Sequence, residues 1–144
     1  MAESELHWMS ISELGEALRA RKLSPVEVTE AMLARIDALD PALRSYATVT
    51  AETALAEARA AEAEIAAGNW RGPLHGVPYA AKDLCYTLDA PTGFGTAAYQ
   101  GWMAPYESTV TARLRAAGAV LLGKLHMTEG APTLHAPELP GPVN

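Results

Sequence analysis

GPLHGVPYAAKDL, running from Gly72 to Leu84, is the stretch that decides how this chain folds. Val77 to Lys82 is too short for a helix, follows Gly76 and carries Pro78 near its start, so the run predicts a strand with proline in an early, tolerated position. Lys82 ends that otherwise uncharged strand, where the fold could hold it partly out of water. In open parallel sheets ligands bind beyond the carboxyl ends of strands, which makes Lys82 the first candidate for chemistry. By position alone a solvated charge or an ion-pair partner is the commoner role for such a lysine. Burial would disfavour its ammonium form and supply a neutral amine. Asp83 would oppose that only by turning toward it, and successive strand side chains point to opposite faces.

Downstream, Ser108 opens a helix through Val110, Leu114 and Ala117, with Gly118 just past its end. Ala119 to Leu122 then reads as a buried strand. Strand, helix and strand imply a parallel, right-handed crossover. Residues 85 to 106 hold Pro91, Gly93, Gly95, Gly101 and Pro105 among Phe94, Tyr99 and Trp102, an irregular connection that must lie over something.

Upstream the pattern is helical. Ser10 and Glu13 make a capping box ahead of an apolar face of Ile11, Leu14 and Leu18, predicting a helix to about Arg21. Ser24, Pro25 and Glu27 start a second helix more clearly, with Val28, Met32, Ile36 and Leu39 on one face and Asp40–Pro41 as its stop. Tyr46 to Val49 is a short β-prone run, and the alanine-rich segment after it favours helix up to Gly68. The expected class is therefore α/β. Residues 1–70 form a helical part, 71–130 a strand-loop-helix-strand part with the lysine motif, and 131–144 a proline-rich end, all within one domain. A two-stranded parallel unit needs further strands and cover on both faces, so the chain reads as unfinished at Asn144.

Composition narrows the function classes. The 144 residues are 49% hydrophobic and 19% charged, as in a globular protein, with a net charge of -6 and no basic stripe for nucleic acid or an anionic membrane. A single cysteine, Cys85, allows no intrachain disulfide and fits a reducing compartment. The opening MAESELHWMS is acidic and polar, unlike a signal peptide, and no apolar run is long enough to span a bilayer. The expectation is a cytoplasmic protein.

Other candidates carry less. Cys85, three residues after Lys82, suits a small apolar filler better than a nucleophile. His126, Glu129 and His135 lack the helical histidine pair of common zinc motifs, so no metal is expected. Gly93-Phe94-Gly95-Thr96 lacks the lysine and hydroxyl of a phosphate loop, so no nucleotide cofactor is expected either. Lys124, after Gly123, ends the second strand and competes with Lys82 on equal physical terms.

Three blocks resemble the amidase signature family: Ser24-Pro25-Val26-Glu27-Val28 with the following ARIDALDP, then GPLHGVPYAAKDL, then APYESTVTARLRAAGAVLLGKLHMTEGA. The second is similar to the family's G-x-L-x-G-[IV]-P-x-x-x-K-D and the third to its segment ending G-K-x-x-M-x-E. Together they run from about Ser10 to the end in the family's order. The resemblance implies the N-terminal part of a large α/β hydrolase, helices around a mixed sheet. It implies cleavage of carboxamide C–N bonds by a Ser, cis-Ser, Lys triad with a glycine-rich oxyanion site.

By motif position Lys82 matches the triad lysine, and Met127 and Thr128 lie where the family lines the pocket, a substrate-binding assignment. The bridging serine and nucleophile belong to a G-G-S-S-G-G-S signature that these 144 residues do not contain. Ser10, Ser24 and Ser108 have capping roles instead, and no serine here sits in a glycine-rich loop. The chain alone is therefore expected to be inactive. A small-molecule amide is the expected substrate, because Leu125 to Gly130, LHMTEG, departs from the T-N-M-D-E-F of the A-type component of the tRNA-dependent amidotransferase. The expected partners are that substrate, the remaining C-terminal portion of the fold and a second copy in a homodimer, with no nucleic acid and no membrane. The rival from another class is a non-catalytic interaction module with exposed sheet edges.

Overall fold

Two capping boxes organise the start of the chain. A computed structural model describes residues 3–131, 138–139 and 141–143. After a 3-10 turn over Glu3–Trp8, Ser10 accepts from the Glu13 amide while Glu13 accepts from the Ser10 amide, and helix α1 spans Ile11–Arg19. Leu14, Ala17 and Leu18 are buried, but Ile11 is exposed, so the inward stripe starts one turn later than the spacing predicts. Ser24 and Glu27 repeat the device for α2, Pro25–Leu43, with Pro25 in the first turn.

Helix α2 runs through Asp40 and Pro41, which the sequence suggested as its stop. Proline removes one amide donor but leaves the next residues free to stay helical for a few positions. The true stop is Arg44, left-handed at φ 51°, whose amide bonds to the Asp40 carbonyl. The Asp40 carboxylate takes the amide of Ser45 at 2.6 Å and so turns the chain into strand β1, Tyr46–Val49.

Helix α3, Ala51–Ala66, buries Ala54, Ala58, Ala61 and Ile65 along one stripe. Small side chains let it approach strand β3, Val120–Leu125, closely. Ala54, Ala58, Val120 and Leu122 form one core cluster, which Val26, Met32, Leu33 and Ile36 complete from α2. Leu14, Leu18, Val28 and Val77 form a second beneath α1. Each fully buried leucine or valine contributes roughly 1.5–3 kcal/mol.

Strand β2 is Pro78–Lys82, and helix α4 is Thr109–Ala116. Ser108 precedes α4 in an extended conformation, yet its hydroxyl bonds to Thr111 Oγ1 at 2.7 Å and makes no amide cap. Arg115 on α4 pairs with Glu57 of α3, Glu107 and Asp89, and Glu57 also accepts the Leu121 amide, tying helix, loop and strand together.

The sheet is mixed and three-stranded, in the order β1-β3-β2. Strands β2 and β3 pair in parallel as the motif order implies, and β1 adds an antiparallel edge beyond the two-stranded unit expected. Strand β3 also continues past Leu122 to Leu125. Gly123 bends it without ending it: at φ 155°, it lies where a Cβ would fall 2.2 Å from the Thr48 carbonyl oxygen. Both ladders shift register beside it.

Candidate active site

Strand alternation separates the two lysines. The parallel register sets Ala81 beside Lys124 and Lys82 beside Leu125. Residues paired in this way share a face, so Lys124 lies with Ala81 and Asp83 on the inner face, and Lys82 lies on the outer one. Burial follows: Ala81 and Asp83 are buried, Lys82 and Leu84 exposed. The expectation that the strand end holds Lys82 partly out of water is thus corrected. Its side chain projects from the sheet with no ion pair or hydrogen bond among the described residues.

Lys124 is fully buried. Its Nζ donates to Thr92 Oγ1 at 2.8 Å and to the Pro91 carbonyl at 3.2 Å, and lies 3.2 Å from Asp83 Oδ1. Burial lowers the pKa of this lysine, and the neighbouring Asp83 carboxylate works against the shift. Oδ1 has no aligned hydrogen bond, so it meets the ammonium as a charge. Asp83 Oδ2 accepts the Gly93 amide at 2.9 Å, the Asp83 carbonyl accepts the Phe94 amide, and its own amide donates to Leu125. Asp83 therefore faces away from Lys82, as alternation requires. Asp83 and Thr92 are the partners that motif reading missed, and the signal for Asp83 was its place directly after an outward residue.

The connection over residues 85–106 does lie over something. Tyr86, Phe94, Tyr99 and Trp102 pack edge to face around one another, with a 3-10 turn at Ala97–Tyr99. Phe94 and Gly95 both have positive φ, and a Cβ on Gly95 would fall 2.4 Å from the Met127 carbonyl oxygen. The loop thus rests on the backbone of Met127 and Thr128. Met127 is 4% exposed and Thr128 partly exposed, just past the end of β3 and near the end of β2. Lys82 and the Met127–Thr128 segment come to the same edge of the sheet.

Cys85 is half-buried in the turn after β2, its amide bonded to the Lys82 carbonyl at 2.8 Å. His126 and Glu129 belong to no metal-binding group among the described residues, and His135 lies outside them. No described helix is long and apolar enough to cross a membrane. A cavity of about 600 Å³ opens between the end of α2, β1 and the 91–101 loop, lined by Asp40, Arg44, Tyr46, Gln100 and His126 among others; Lys82 does not line it.

The mixed three-stranded sheet and the helices packed on it match the N-terminal part of amidase-type α/β structures. The amidase family model matches residues 27–140, and the chain belongs to that family. It is 54% identical over 142 residues to a protein of Mycobacterium tuberculosis that carries the name amidase AmiD, covering 99% of this chain and 30% of that one. It is 47% identical over 126 residues to the A component of the glutamyl-tRNA(Gln) amidotransferase of Methylococcus capsulatus, covering 88% of this chain and 26% of the relative. The peptide amidase of Stenotrophomonas maltophilia has the same fold over this region, with a TM-score of 0.79 and 35% identity, covering 84% of this chain and 25% of that enzyme. The chain therefore spans about 30% of the length of the mycobacterial relative.

Proposed function

We propose that this chain is the lysine-bearing portion of an amidase that hydrolyses the carboxamide C–N bond of a small molecule by a Ser, cis-Ser, Lys triad, with Lys82 as its base. One observation carries the reading: of the two lysines near the strand ends, Lys82 is the one that has no ion pair or hydrogen bond among the described residues and faces outward, where a serine could reach it. In this mechanism Lys82, as the base, takes the proton of the nucleophilic serine through the bridging serine. The serine oxygen attacks the carbonyl, the amine leaves with a proton, and water hydrolyses the acyl-enzyme. Both serines belong to a glycine- and serine-rich segment outside these 144 residues. Met127 and Thr128 position the substrate beside that centre. The 144 residues alone are inactive because they hold no nucleophile, and a fluorophosphonate probe should leave them unlabelled.

The test is Lys82→Ala in the full-length protein that contains this segment, assayed by ammonia release from simple carboxamides. Turnover is expected to fall by about 10³-fold or more, as when one member of a catalytic unit is removed. Unchanged turnover would remove Lys82 from the mechanism. An A-type amidotransferase component is the second reading, carried by the 47% identity to the Methylococcus capsulatus protein. Activity on free carboxamides without a partner protein favours the first reading over it.

A further inference from the structure

The buried cluster behind Lys82 has no part in the chemistry above. Asp83, Thr92 and Lys124 come from the end of β2, the following loop and β3, and all three are buried. A buried ion pair is weak grounds for stability, because desolvating two charges cancels much of their attraction. Its distinctive product here is geometry. With the Asp83 carboxylate held inward by Lys124, alternation directs Lys82 outward. Oδ2 of the same carboxylate holds the Gly93 amide, and the loop so fixed brings Gly95 against the Met127 carbonyl. Lys124, three residues ahead of Met127, closes the circuit by bonding to Thr92.

We propose that Asp83 and Lys124, paired directly and tied to the loop at Gly93 and Thr92, are positioning residues that fix the direction of Lys82 relative to the Met127–Thr128 segment, so that a substrate carbonyl held by that segment meets the base. This rests on the reading of Lys82 as the base. A mispositioned base lowers the rate of the chemical step and leaves ground-state binding largely alone.

The experiment uses the full-length protein containing this segment, with ammonia release for kinetics and thermal melting for stability. Asp83→Leu combined with Lys124→Met removes both charges and the tether to Gly93 while keeping the volume apolar. Its kcat is expected to fall tenfold or more with KM changed less than about twofold. Asp83→Asn with Lys124→Met keeps an amide oxygen for the Gly93 amide and should recover most of that loss at a similar melting temperature. Hydrogen exchange at the Gly93 amide should be fast in the first double variant and slow in the second. Wild-type kcat in the Leu/Met variant would overturn the proposal. Should that variant not fold, Thr92→Val takes its place, keeping both charges but freeing the Lys124 ammonium from its hydroxyl partner. A severalfold fall in kcat at unchanged KM supports positioning, and wild-type kcat overturns it. Lys82→Ala separates the two claims. If it retains wild-type turnover, the base assignment itself has failed; if it is inactive while the Leu/Met or Thr92→Val variant is fully active, only the positioning claim has.

Discussion

Lys82 is the last residue of β2 and Lys124 the last but one of the adjacent parallel β3, one register position apart, and they have opposite fates. Lys124 is enclosed with Thr92, Pro91 and Asp83 as partners, and Lys82 is exposed without one among the described residues. Proximity to a strand end therefore does not choose between them. The face does, and the face follows from a one-residue offset that sends neighbouring side chains to opposite sides. Among the described residues the donors of Lys124 are engaged and those of Lys82 are not, which is the basis for reading the first as a brace and proposing the second as the base.

The largest effect on stability is expected at the brace. Lys124→Ala leaves the Asp83 carboxylate buried without its counter-charge and should cost about 3–5 kcal/mol in urea unfolding of the chain. Gly123→Ala attacks the offset itself. A methyl 2.2 Å from the Thr48 carbonyl oxygen, at a φ unfavourable to other residues, must disturb the β1–β3 pairing, at about 2–3 kcal/mol by the same measurement.

His75, ahead of β2, carries the contrast between buried and exposed groups to pH. It is fully buried and accepts the Arg71 amide at Nδ1, and burial holds its pKa below the ordinary 6.5, with Glu64 opposing and Arg71 adding to the shift. Below about pH 6.5 the unfolded chain therefore binds the proton first, so stability present at neutral pH is lost as the pH falls toward the folded value. His75→Gln should flatten that acid slope relative to wild type; an equal slope would show that the loss arises elsewhere. Smallest of all, Lys82→Ala should change stability by less than about 0.5 kcal/mol, since nothing described leans on its side chain. A large cost there would erase the contrast between the two lysines.

Much of this was legible in the sequence where the interactions are local. Ser10 with Glu13, and Ser24 with Pro25 and Glu27, specify helix starts within four residues, and both boxes form. Pro78 opening β2 was legible for the same reason, and the parallel pairing with β3 followed from the strand–helix–strand order. The stop of α2 was not, because Pro41 is a weaker signal than the Asp40 carboxylate and the left-handed Arg44 beyond it. Gly123 read as a boundary because its meaning depends on Thr48, 75 residues earlier. The Asp83–Lys124 pair was hidden for that reason too: 41 residues separate its members, and only the register brings them together. Family resemblance selects Lys82 over Lys124 without any of that geometry.

The central claim is that Lys82 works as a base and not as a fixed charge. Lys82→Arg tests it most directly, because arginine keeps the positive charge and the reach but cannot give up its proton. In the full-length protein, carboxamide turnover is expected to fall by about 10³-fold or more at an unchanged melting temperature. Turnover within tenfold of wild type would contradict it.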